Sequence, residues 1–251
     1  GLFNCMHNLA WASDNLLYIS DTQNNLVRKI NGKNNRLSTF AGVPEKKGFS
    51  GDGGPAVKAK LDTPISISLT PDEKSLLIAD IRNRRIRAVN LDSGIIRTIA
   101  GNGKKGKPVD GKHTLKQPLV DPRAAVMDND GNLFVIERNG HALRVVRPNG
   151  KIFTIAGTGK KGHLDGSALE ATFNGPKHLC LDRKGRVIIA DDNNNLIRLY
   201  DPKNETVSTI LGGKAKPKTI LNRPHGVTIA PDGSLWVCDS WNNRILTLSN
   251  Y

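Results

Sequence analysis

Acidic residues are scarce in this 251-residue chain. Asp and Glu total 23 against 37 Lys and Arg, for a formal net charge of +14. Such an imbalance disfavours basic partners and attracts polyanions: nucleic acid, acidic glycan or an acidic protein face. Cysteine is nearly absent. Cys5, Cys180 and Cys238 are odd in number, widely spaced and without a CxxC pair, which excludes a zinc framework. They leave either one disulfide with a free thiol or three small strand residues. Aromatic residues make up 5% of the chain, and no apolar run reaches the ~18 residues of a membrane-spanning helix. Gly1-Leu2-Phe3-Asn4-Cys5 lacks the basic-then-apolar order of a signal peptide. Neither a GxSxG elbow nor an HExxH motif occurs.

What is plentiful is punctuation: 25 Gly and 13 Pro, which suits short strands and tight turns. It falls into a repeat. Leu17-Tyr18-Ile19-Ser20-Asp21, Leu77-Ile78-Ala79-Asp80, Phe134-Val135-Ile136-Glu137, Ile188-Ile189-Ala190-Asp191 and Trp236-Val237-Cys238-Asp239 share one pattern, with the acids spaced 59, 57, 54 and 48 apart. In four repeats an Arg follows seven residues later (Arg28, Arg87, Arg144, Arg198). A strand then ends at Gly42, Gly101, Gly157 or Gly212, and a loop leads to Pro64, Pro122, Pro176 or Pro224. Each repeat reads as four antiparallel strands, a to d: strand a follows the Pro, b ends at the acid, c carries the Arg and d ends at the Gly. Radially arranged, such units make an all-β propeller.

Residues 36–64, with Phe49-Ser50-Gly51-Asp52-Gly53-Gly54-Pro55-Ala56, resemble the blades of the NHL-repeat family, and the resemblance extends over the whole chain. It implies one propeller domain spanning residues 1–251. Five repeats are recognised. The fifth ends at Tyr251 after strand c, so a five-bladed ring with an unfinished blade and a six-bladed parent both fit.

Antiparallel blades put the b–c turns and the d–a loops at one end, and the d–a loops concentrate lysine: Lys46 and Lys47, Lys104, Lys105 and Lys107, Lys160 and Lys161, then Lys214, Lys216 and Lys218. The first residues of the a strands are expected to line a channel near that end, at His7, Ile65, Arg123, Lys177 and His225. The reading is a basic funnel in which His7, Arg123, Lys177 and His225 receive an anion, set against the plainer one in which exposed lysines only maintain solubility. The acid–Arg pairs recur in four repeats, so they are read as structural, holding the b–c turn. Asp52-Gly53, Asp110-Gly111 and Asp165-Gly166 are read as turn formers, because one carboxylate per loop is too few for calcium.

The main expectation is a binding module for an anionic partner. Recognition of RNA bases by stacking is disfavoured, since the d–a loops hold only Phe49 and Phe173. The alternative is a channel-centred lyase or hydrolase. The resemblance implies it, because the peptidyl-hydroxyglycine amidating lyase of this family bears zinc on three histidines, and Pro224-His225-Gly226-Val227 is similar to its motifs. His7 and His225 are the only metal candidates, and two ligands make a poor zinc site. A scaffolding domain is the third reading. The sequon Asn204-Glu205-Thr206 favours an extracellular or lumenal setting.

Overall fold

A computed structural model of the chain describes residues 2–216, 218–249 and 251. It contains five antiparallel sheets, one per repeat, and these are the blades of a β-propeller. The first sheet runs β1 (Met6–Ala12), β2 (Leu16–Asp21), β3 (Leu26–Asn31), β4 (Arg36–Ala41). The second runs β5 (Pro64–Leu69), β6 (Ser75–Asp80), β7 (Arg85–Asn90), β8 (Ile96–Ala100). The third comprises β9 (Lys112–His113), β10 (Pro122–Met127), β11 (Leu133–Glu137), β12 (Ala142–Val146) and β13 (Lys151–Ala156), in the order β10-β11-β12-β13-β9. The fourth has β14 (Gly166–Ser167), β15 (His178–Leu181), β16 (Val187–Asp191), β17 (Leu196–Asp201) and β18 (Thr206–Leu211), in the order β14-β18-β17-β16-β15. The fifth has three strands, β19 (Pro224–Ile229), β20 (Leu235–Asp239) and β21 (Arg244–Leu248). Among the described residues no helix is long and apolar enough to cross a membrane.

All five b strands end at the repeated acid, as expected, and among the described residues the fifth sheet has strands a to c. The difference lies at the outer edges: the third and fourth sheets gain a fifth, two-residue strand. It comes from the d–a loop that precedes the sheet. Lys112 and His113 pair with Ile152 and Lys151, and Gly166 and Ser167 pair with Val207 and Thr206. In the second sheet the same place is taken by Pro55, bridged to Ile95, with Gly53 N–H donating to the Ile96 carbonyl at 2.8 Å. These loops cover backbone groups that an edge strand otherwise leaves open.

By its internal contacts the chain divides into two compact units, residues 1–133 with 146–152, and 134–145 with 153–251. In the first, Val27, Leu61, Leu76, Ile78 and Val89 are fully buried in one apolar cluster. In the second, Ile188, Ala190, Ile197 and Val237 form another.

The acid explains why the repeat exists. Its Oδ1 accepts the backbone N–H two residues before strand a begins, from Asn4 to Asp21, Asp62 to Asp80 and Asn222 to Asp239, all at 2.7–2.8 Å. The Asn three residues on donates to it as well: Asn24, Asn83, Asn194 and Asn242, at 2.7–3.0 Å. The next residue is left-handed in every repeat (Asn25, Arg84, His141, Asn195, Asn243). In three repeats its side chain reaches the following repeat: Asn25 accepts from Thr63 N–H at 2.9 Å, His141 from Gly175 N–H at 3.1 Å and Asn195 from Arg223 N–H at 2.8 Å. Glycine ends strand d because that left-handed carbonyl is in the way. A Cβ on Gly42 or Gly212 would stand 2.5 Å from the carbonyl of Asn25 or Asn195, and φ there is 96° and 85°.

The structural reading of the acid–Arg pairs holds. Arg87, Arg144 and Arg198 reach Asp80, Glu137 and Asp191 at 3.5, 2.8 and 3.1 Å, and Arg28 lies 3.7 Å from Asp21. The arginines do more than brace the turn, however. Arg87 also binds Asp52, and Arg198 binds Asp165 at 2.6 Å. Asp52 and Asp165 further accept from Thr98 and Thr209 of the d strands. These two aspartates are clamps between loop, strand c and strand d, beyond the turn formation read from Asp-Gly.

Candidate functional site

The second unit brings Lys177 and His225 together, and it does so around a carboxylate. Lys177 precedes β15, and His225 is the second residue of β19. Asp192 follows the repeated acid Asp191, and its side chain is fully buried. Lys177 Nζ lies 3.3 Å from Asp192 Oδ2, His225 Nε2 3.2 Å from Oδ1, and the Arg223 guanidinium 2.7 Å from Oδ2. Lys177 Nζ is also 2.7 Å from His225 Nε2. Burial pushes the Asp192 carboxyl up. Hydrogen bonds from His225 and Arg223, with the charges of Lys177 and Arg223, outweigh this and hold it at about 2. Asp192 is therefore an anion at any physiological pH, and the cluster carries a surplus of positive charge.

His225 Nε2 can serve only one neighbour at a time. With Nε2 bare the imidazole accepts from the Lys177 ammonium, whereas with Nε2 carrying a proton, in the neutral Nε2–H tautomer or the imidazolium, it donates to Asp192. Its side chain and that of Arg223 are 39% and 29% exposed, so both present an outer face to a ligand. The Arg223 guanidinium also lies 5.2 Å from the ring centroid of Trp241, an exposed residue of the turn after β20. His178, one residue on from Lys177, points elsewhere and sits 3.1 Å from the Val227 carbonyl.

In the first unit, His7 is exposed, with Nδ1 3.0 Å from the Cys5 carbonyl, and Arg123 is half-buried at the start of β10. The loop lysines are exposed at every position: Lys46, Lys47, Lys104, Lys105 and Lys107 in the first unit, and Lys160, Lys161, Lys214, Lys216 and Lys218 in the second. Phe49 and Phe173 are occupied by arginines. Arg85 lies 3.7 Å and Arg87 4.8 Å from the Phe49 ring, and Arg198 lies 5.2 Å from the buried Phe173 ring. Among the described residues no three His, Cys, Asp or Glu side chains are placed to hold a metal. The three cysteines are free thiols, and burial pushes that of Cys180 well up.

Asp192, Arg223 and Trp241 were not singled out in the sequence. One signal was there. Position acid-plus-one holds Thr22, Ile81, Arg138, Asp192 and Ser240, so only the fourth repeat doubles the acid.

Comparison with known proteins agrees with the fold. The family model for the NHL repeat matches residues 221–248, the span of the fifth sheet. Protein SUPPRESSOR OF QUENCHING 1, chloroplastic, of Arabidopsis thaliana is 29% identical over 278 residues, covering 83% of this chain and 26% of that protein. NHL repeat-containing protein 2 of Bos taurus is 28% identical over 225 residues, covering 80% of this chain and 30% of that protein. The chain thus spans about a quarter to a third of these relatives. Among solved structures, a chain of the nidogen/laminin complex superposes with a TM-score of 0.69 at 15% identity, covering 98% of this chain and 76% of that one. A streptogramin B lyase does so with 0.66 at 13%, covering 99% and 68%. At these identities the likeness is one of fold. The family model matches the fifth repeat, relatives named for that repeat match most of the chain, and the blades superpose on solved propellers, so the chain is similar to the NHL-repeat β-propellers.

Proposed function

We propose that residues 1–251 act as a single propeller domain and bind an anionic partner, an acidic glycan, acidic protein face or nucleic acid. The observation that supports this reading is the cationic surplus built around Asp192. One buried carboxylate holds Lys177, Arg223 and His225 in place, so their positive outer faces are ordered before any ligand arrives. Arg223 supplies the forked contact and Trp241 a platform beside it. His7 and Arg123 are proposed ligand contacts as well, and the loop lysines add long-range attraction. That a similar chain belongs to the nidogen/laminin complex supports a binding role.

The test is binding to heparin, RNA and an acidic peptide, each measured against salt. The partner class should show a steep loss of affinity with ionic strength, and Arg223→Ala with Lys177→Ala should weaken it far more than Lys46→Ala with Lys47→Ala. Equal losses from the two double variants would reduce the site to general surface charge. The lyase alternative rests on His225, whose Nε2 is shared between a lysine and a buried aspartate, and on the likeness to streptogramin B lyase. It requires turnover that His225→Ala abolishes, which a pure binding module does not show.

A further inference from the structure

The first unit contains a cleft of about 470 Å³, at the end of the second and third sheets where the a–b and c–d turns lie. Its volume falls in the ~300–1,000 Å³ range of small-molecule sites. Leu77, Ala88, Leu133 and Val146 form an apolar floor. Two aspartates and two arginines line it, and their hydrogen bonding separates them. Asp72 accepts from the Thr70 hydroxyl at 2.7 Å and from Lys74 N–H at 3.1 Å. Asp128 accepts from the N–H groups of Asp130 and Asn132 and from the Asn132 side chain, at 2.8–3.0 Å. Both carboxylates are thus engaged by their own turns.

The arginines are not. Arg147 gives one N–H to Asn132 Oδ1 at 3.2 Å, and the Arg97 side chain makes no hydrogen bond or ion pair among the described residues. Arg97 is also particular to this repeat. The residue before the strand-d Thr is Ser38, Phe153 and Ser208 in the other three. The blade therefore does not need an arginine here, and this one lines an apolar cleft with its donors uncommitted.

We infer that this cleft binds a small carboxylate with an elongated apolar body, the chain lying on Leu77, Leu133 and Val146 and the carboxylate forked by Arg97 with Arg147 beside it. An apolar floor suits the body, and guanidinium donors without a protein acceptor, beside carboxylates already engaged by their own turns, suit an anionic head. A cationic or purely hydrocarbon ligand leaves those donors unused.

The experiment uses the whole chain with decanoate below its micelle concentration, followed by NMR of the labelled acid and by thermal shift, with decylamine and decanol as controls. Decanoate should bind and raise the melting temperature, and decylamine should not. Arg97→Ala should weaken decanoate by about tenfold or more, with Arg97→Lys restoring part of the loss. Because Arg97 is exposed, the variants should melt like the parent when no ligand is present. Absence of decanoate binding, equal binding of decylamine, or an Arg97→Ala variant that binds as well as the parent overturns the inference. Heparin binding by Arg97→Ala reads the Asp192 cluster separately, so the two readings fail independently.

Discussion

The fourth and fifth sheets are built from the same repeat, yet one is sealed and the other is not. Strand c of the fourth, β17, is buried along nearly its whole length, whereas β21 of the fifth is exposed over most of its own. Ile197 is fully buried, and its counterpart Ile245 is 58% exposed. The arginine paired with the acid differs in place as well as in cover. Arg198, seven residues after its acid, is fully buried between Asp191 and Asp165; the same position in the fifth is Leu246, and Arg244, five residues after the acid, reaches Asp239 at 2.8 Å with its side chain 43% exposed. Only the acid is alike, completely buried in both. The lesson is that the repeat specifies the turn and its carboxylate locally, while burial of strand c depends on what is laid against it, strand d and the clamp from the preceding loop.

The widest gap should separate the two arginines. Arg198→Ala leaves Asp191 and Asp165 without their cation and should cost about 3–5 kcal/mol in chemical denaturation. Arg244→Ala removes a half-solvated pair and should cost about 1 kcal/mol or less. Similar losses would mean that cover does not set the strength of the pair. The same curves test the single-domain proposal, which expects one cooperative transition; two separated transitions count against it.

A smaller gap is expected between the isoleucines. Ile197→Ala should cost about 2–5 kcal/mol through the cavity it leaves, and Ile245→Ala within about 0.5 kcal/mol.

The subtlest contrast is in pH. Burial pushes the Asp191 carboxyl up, ahead of the hydrogen bonds from Asn174, Asn194 and Arg198 that pull it down. At Asp239 burial also pushes up, but the bonds from Asn222, Asn242 and Arg244 win and its carboxyl lies below the ordinary range. A raised folded value means the folded state holds the proton more tightly, so the contribution of Asp191 shrinks as pH rises through that value. A lowered one means the opposite: the contribution of Asp239 is present above the ordinary carboxylate range and disappears as pH falls below it. The margin of the parent over Asp191→Asn should therefore narrow from acid towards neutral pH, and the margin over Asp239→Asn should widen. Parallel profiles would show that the difference in cover does not reach the carboxylates.

This contrast also marks how far the residues alone could be read. The fold was legible because acid, Asn turn, Arg and Gly recur, and each has a local physical task. That Lys177 and His225 lie together was legible because strand a begins at a Pro and its first residues can be counted. Asp192, Arg223 and Arg97 were not, since a search for recurrence averages away what one repeat does differently. Arg223 lies beside a Pro whose plain meaning is punctuation, and Asp52 and Asp165 read as turn residues because their partners lie 33–46 positions away.

The loop that seals an outer edge precedes the strand it seals: Pro55 comes before Ile95, His113 before Lys151 and Gly166 before Val207. On a ribosome adding about 5–20 residues per second, the clamp has already left the tunnel when its strand d emerges. Each new edge can close within a second or so of synthesis, without waiting for later chain. A nascent propeller of this design exposes a sticky edge only briefly, and slowing translation inside a strand d should lengthen that interval more than the same pause inside a lysine loop.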